Sequence, residues 1–161
     1  SDLYSADVII STIPWMEFAK ITGMPQELKE KIGHLKYSSV QTAYFPDNLD
    51  TEAQWVYYPD PELSYHRILV RHNFCNGSKG YWTECNSTRV DETTESTFQY
   101  MNQYAYPLNT IGKPEIMKEL LEWAKTRRVY GLGRWGEHQH YNSDLVVELA
   151  LKMAEELNSA Q

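Results

Sequence analysis

This sequence predicts an α+β fold: one antiparallel sheet with flanking helices. Five stretches rich in β-branched and aromatic residues fall between positions 36 and 106, separated by Pro, Gly, Asn and Asp. Helical spacing of apolar residues lies outside that block. A short apolar run near the start, Val8-Ile9-Ile10, reads as a parallel-type strand that needs neighbours on both sides.

The opening strand runs straight into Pro14 with almost nothing before it, which predicts a piece cut from a larger protein. Residues 15–21 form a short apolar segment, broken at Gly23. Pro25 suits the first turn of a helix and Gly33 its end, with Leu28 and Ile32 as the buried face. Residues 36–45 carry Tyr37, Val40, Thr42, Tyr44 and Phe45 and read as a strand; residues 47–50 are a turn. A second strand covers 53–58 and ends at "PDPE". The third covers 66–72, with His66, Ile68, Val70 and His72 on one face and Arg67, Leu69 and Arg71 on the other. "CNGSKG" is a hairpin-type loop, and residues 80–89 form the fourth strand. "VDETTEST" is an exposed loop or a helix start, and a further strand covers 102–106. Pro114 opens a helix with Ile116, Leu120 and Ala124 on one side, and residues 127–130 allow a short strand. The last helix is capped at Asn142 or Ser143; Leu145, Leu149, Met153 and Leu157 form its stripe, flanked by Val146 and Ala150.

At 161 residues the chain can bury a real core, and 42% apolar content argues against disorder. The formal charge of −7 argues against a general nucleic-acid binder, which needs a basic face. No apolar run reaches the roughly 20 residues of a membrane span, and no signal peptide is expected. Cys75 and Cys85 could pair, but reduced thiols in a cytoplasmic protein are the plainer expectation. Twelve Tyr and five Trp fit a strand-rich core first and a sugar or nucleotide surface second.

Gly131-x-Gly133-x-x-Gly136 has the spacing of a dinucleotide-binding fingerprint. That motif needs a strand before it, a helix directly after it, and then a second strand. "EHQHYN" has no helical face, and no second strand follows the last helix. The glycines therefore read as a turn. His138 and His140 form His-x-His without further ligands at zinc spacing, so no metal site is expected and a polar loop pair is the simpler account. Asn142 and Asp144 are most simply caps. Glu84 and Glu137 have no partner in sequence and receive no role. Trp55 and Tyr57 alternate onto one strand face, and Arg67 follows on the next strand. A planar guanidinium beside an aromatic wall suits a sugar nucleotide. A solvated strand Arg beside core aromatics is the competing account, and spacing alone favours it.

Taken in order, "ADVIISTIP", "WVYYPDPELSYHRI", "GYWTECNSTR", "YAYPLNT" and "GLGRWGEHQHYNSD" resemble the C-terminal half of the UDP-galactopyranose mutase family, and more loosely the wider amine-oxidase-like flavoproteins. The resemblance covers nearly the whole chain. It implies residues 1–14 as the returning strand of a truncated FAD-binding domain, 15–126 as an α+β substrate domain, and 127–161 as a flavin-approach segment and helix. The first strand and last helix would be edge pieces of an incomplete Rossmann-type domain. In that family reduced FAD attacks the sugar through its N5, displaces UDP, and lets a pyranose reclose as a furanose. The products serve lipopolysaccharide and other cell-surface polysaccharides.

By resemblance, Arg67 binds the substrate diphosphate, Trp55 and Tyr57 line the substrate pocket, and Tyr106 reaches the diphosphate region. Gly133, Arg134, Gly136, Asn142, Ser143 and Asp144 approach FAD, with Arg134 also near the substrate. The family's tyrosine six residues after the "GR" arginine is His140 here, with Tyr141 next; either can donate to phosphate. The fingerprint domain, the main flavin cradle and the second diphosphate arginine are not in the chain. FAD is therefore expected in the full-length parent and absent from this fragment, which is expected to be inactive alone, with no catalytic residue beyond the flavin it would contact. The implied partners are a UDP-sugar, the missing N-terminal Rossmann domain and, in some form, a second copy of the chain. Two other readings stand beside this one: part of an FAD-dependent amine-oxidase-type oxidoreductase with another substrate, favoured by His140, and a non-catalytic carbohydrate-binding module.

Overall fold

A computed structural model describes residues 5–90 and 95–159. In chain order its elements are β1 (Ile9–Ser11), α1 (Trp15–Phe18), α2 (Gln26–Ile32), β2 (Tyr37–Phe45), β3 (Trp55–Tyr57), β4 (Tyr65–Leu69), β5 (Tyr81–Asn86), β6 (Phe98–Pro107), α3 (Lys113–Lys125), β7 (Val129–Gly131), α4 (Gly133–Gly136) and α5 (Ser143–Ser159). The fold is α+β, as the sequence predicts. It divides into two units: one built from residues up to Tyr37 and from Tyr106 onward, the other from Ser38–Ala105. No described helix is long and apolar enough to cross a membrane.

The first unit is discontinuous in sequence. β1 pairs in parallel with β7, Ile9 opposite Val129 and Ser11 opposite Gly131. Around them packs one apolar core that includes Trp15, Phe18, Leu28, Ile32, Leu120 and Ala124. Leu28 and Ile32 are the buried face of α2, which runs from Pro25 to a C-cap at Gly33 as expected. In α3 the buried positions are Lys113, Met117, Leu120 and Ala124. This i, i+4, i+7, i+11 stripe is rotated slightly from the expected one, and Ile116 sits at its edge. In α5, Val146, Leu149, Ala150, Met153 and Leu157 are half-buried, while Leu145 is more exposed.

The second unit is a five-stranded antiparallel sheet in the order β3-β4-β5-β2-β6. The third strand is shorter than read. The pairing of β4 with β5 shifts between Tyr65 and Arg67, so His66 is a bulge residue and does not share a regular face with Ile68. Residues Arg71–Asn73 form a 3-10 turn, not strand. β5 likewise ends at Asn86 and passes into a 3-10 turn over Ser87–Arg89, where Asn86 Oδ1 accepts from the Thr88 amide. β6 begins earlier than expected, at Phe98. Residues 91–94 of "VDETTEST" lie outside the described residues.

Candidate functional site

Strand pairing decides which side chains share a face. Tyr57 pairs with Arg67, and Arg67 with Glu84, so the three form a row across β3, β4 and β5. The neighbouring row on that face runs Trp55, Leu69, Trp82 and Tyr44. Arg67 Nε donates to Glu84 Oε2 at 2.8 Å, and Nη2 donates to the same oxygen. The guanidinium carbon lies 5.7 Å from the centre of the Tyr57 ring. The bulge brings His66 Nε2 to 4.0 Å from that carboxylate oxygen. Trp55 and Tyr57 are 48% and 63% exposed, so their rings are available to a ligand. The face thus offers a charged row beside an aromatic row, with the Arg67 charge balanced by Glu84. Sequence reading gave Glu84 no role; two opposite charges on adjacent strands were the available signal, but only register could join them.

In the first unit the glycine turn is built for backbone contact. A Cβ on Gly131 would collide with the Gly136 carbonyl oxygen, and one on Gly136 with the Ser11 carbonyl oxygen. Gly133 adopts φ +75°, a left-handed conformation. Trp15 Nε1 donates to the Gly136 carbonyl at 2.8 Å, and the Leu132 amide donates to Ser11 at 3.0 Å. The motif does follow a strand and open a helix, but α4 is a single turn of four residues.

Beyond this turn, Gly133, Arg134, Tyr141 and Ser143 line one cavity of about 500 Å³ with Thr12 and Val146. Arg134 Nη2 donates to the Tyr141 carbonyl at 3.0 Å. Its guanidinium carbon stands 5.3 Å from the centre of the Tyr106 ring, and His140 stacks on the same ring at 5.0 Å. Tyr106 and His140 therefore join the cluster through Arg134. Gly136 is buried within the turn. Asn142 accepts from the Val146 amide at 3.2 Å, which places it at the N-cap position; it and Asp144 are exposed.

The same unit holds groups whose burial and contacts sequence reading missed. His138 is fully buried with φ +50°, not a polar loop residue. Its Nε2 faces the Lys36 carbonyl at 3.0 Å, so Nε2 carries the proton; Nδ1 has no hydrogen-bond partner among the described residues. Lys113 is also buried, and its Nζ donates to Asn109 Oδ1, the His138 carbonyl and Gln139 Oε1 at 2.5, 3.1 and 2.9 Å. Burial lowers the pKa of Lys113. Burial also lowers that of His138, helped by Lys113 and opposed by the bond to Lys36. Glu137 Oε2 accepts from the Gly133 amide at 3.2 Å, and burial raises its pKa despite that bond. Among the described residues no cluster of His, Cys, Asp or Glu is arranged to hold a metal ion. Both cysteines are free thiols.

The donors around the cavity fit one polar edge of a flavin cofactor. Arg134, the Ser143 hydroxyl and the first amides of the 17-residue helix α5 all favour an anionic or carbonyl oxygen.

No family model matches this sequence, and no curated protein matches it. Solved structures do. A reduced UDP-galactopyranose mutase superimposes with a TM-score of 0.69 at 20% identity, over 84% of this chain and 37% of that one. An assigned protoporphyrinogen oxidase from Exiguobacterium sp. 255-15 gives a TM-score of 0.54 at 12% identity, over 80% of this chain and 36% of that one. The chain therefore has the fold of the matched portion of UDP-galactopyranose mutase, which bears out at the level of fold the resemblance read from its sequence.

Proposed function

We propose that this chain is the substrate-binding part of an FAD-dependent enzyme of the UDP-galactopyranose mutase type. The parent would interconvert the pyranose and furanose forms of a UDP-sugar in the cytoplasm for cell-surface polysaccharide synthesis. The observation that carries this reading is the row of Tyr57 and Arg67 beside the row of Trp55 and Trp82 on one sheet face. Rings of that kind pack on a sugar or a uracil, and a guanidinium pairs with phosphate.

Reduced FAD, when bound, supplies the nucleophile for the sugar's ring exchange. The residues of this chain bind and orient. Gly133, Arg134, Gly136, Asn142, Ser143 and Asp144 would hold one edge of the cofactor. Tyr106, His140 and Tyr141 would present donors towards the substrate phosphates. Residues 1–14 and 127–161 would belong with the FAD-binding domain and 15–126 with the substrate domain. The rest of the FAD-binding domain would cover exposed apolar residues such as Ile9, Ile10, Val147 and Leu151, all at least 47% exposed.

A second reading, an FAD-dependent oxidoreductase with another substrate, draws on Glu84 and His140. Glu84 cancels the charge that would meet a diphosphate, and His140 replaces the family's tyrosine. Calorimetric titration of the full-length parent, with oxidised and with reduced FAD, against UDP and UDP-galactose separates the two. UDP binding that tightens on flavin reduction is expected for the mutase. No UDP binding in either state would leave the oxidoreductase.

A further inference from the structure

The opposite face of the five-stranded sheet holds a cavity of about 400 Å³. Its floor is set by pairing: Phe45 lies opposite Tyr81, Ala43 opposite Thr83 and Gln41 opposite Cys85. These positions alternate along β2 and β5 with Tyr44, Trp82 and Glu84, so they point away from the Arg67 row. Residues of the segment before β4, Ser64 among them, form one wall.

We propose that this cavity is a second ligand site, for a neutral saccharide ring. The inference is independent of the flavin-enzyme reading. Its volume falls in the range of about 300–1,000 Å³ usual for small-molecule sites. The rings of Phe45 and Tyr81 stack on each other with centres 5.0 Å apart and planes 13° apart. No slot is left between them for a flat base, and the outer face of one ring of the pair suits the C–H face of a pyranose. Gln41 Nε2 donates to Gln99 Oε1 at 2.8 Å, joining two amides at the cavity. With the hydroxyls of Ser64 and Thr83 they offer the mixture of donors and acceptors that ring hydroxyls need. Among the described residues no lysine or arginine lines the cavity, so none of them would neutralise a phosphate there, and the Glu62 carboxylate would repel one.

The test is saturation-transfer NMR and calorimetry on the full chain, with methyl galactoside and methyl glucoside as probes and uridine as the counter-probe. Glycoside binding is expected, weakened roughly tenfold in the double variant Gln41→Leu/Thr83→Val. Thr83→Val alone keeps the side-chain shape and removes one hydroxyl, and thermal melts check that each variant is folded. It is expected to weaken binding by a smaller factor. Lys20→Gln, at an exposed residue of the first unit with no part in either site, is expected to leave glycoside binding as it is. No glycoside binding by the unaltered chain, unchanged binding in both cavity variants, or uridine binding in place of the glycosides would overturn the assignment.

Discussion

Arg67 and Glu84 decide together what their sheet face can bind. A guanidinium that gives two hydrogen bonds to one carboxylate oxygen is not free to give both to a phosphate. Glu84→Gln in the full-length parent is therefore expected to tighten UDP binding by roughly three- to tenfold, since it removes a competing charge and keeps the shape. Calorimetry that shows weaker binding would mean that Glu84 orients Arg67 for the ligand instead. Arg67→Ala is expected to weaken UDP-sugar binding by about 2–3 kcal/mol; an unchanged dissociation constant would take Arg67 out of the site. His138 makes a different prediction. Its folded pKa lies below the ordinary 6.5, so the unfolded chain takes up the proton first as pH falls. The stability linked to this group is complete above pH 6.5 and is lost as pH falls below it towards the folded pKa. Urea denaturation at about pH 7.5 and about pH 5.5 should show a larger drop for the unaltered chain than for His138→Gln. An equal drop would assign the acid sensitivity elsewhere. Neither the Arg67–Glu84 pair nor the burial of His138 could be read from spacing, because both depend on strand register or on contacts far apart in sequence.

The glycine turn shows what local sequence can and cannot say. Its spacing matched a cofactor motif, and its context argued against one. The reason for the glycines is the approach of three backbones: β1, β7 and α4 meet where no Cβ fits. Gly131→Ala should cost about 2 kcal/mol or more in denaturant titration, because the obstacle is a carbonyl group and not a flexible side chain. Trp15→Phe should cost about 1–3 kcal/mol, since it leaves the buried Gly136 carbonyl without its indole donor. A variant as stable as the original would mean that the turn relaxes or that water replaces the indole. Strands and helices with strong patterns, such as β2, α2 and α5, were legible from periodicity and end signals. The bulge at His66 and the 3-10 turns after β4 and β5 were not. Alternation of residue type continues through them while the backbone leaves the ladder, so no change in pattern marks the boundary.

Taken whole, the chain leaves apolar surface uncovered among its described residues. β1 has β7 as its partner, and parallel strands are rarely stable with a bare face. Ile9 and Ile10 are each 47% exposed, Val147 60% and Leu151 64%. The chain alone should therefore self-associate in sedimentation at rising concentration, and Val147→Lys/Leu151→Lys should return it towards the monomer. A monomer at every concentration would show that these exposed residues are tolerated in water. The pairing of β1 with β7 also sets a timetable. On the ribosome Ile9 is made long before Val129, so the pairing of β1 with β7 cannot form until residue 129 has been made. The sheet of Ser38–Ala105 is complete by then and can form first. Until Val129 is made, β1 is without this partner. That interval is when a chaperone, or the β7 strand of another nascent chain, could take the place meant for its own.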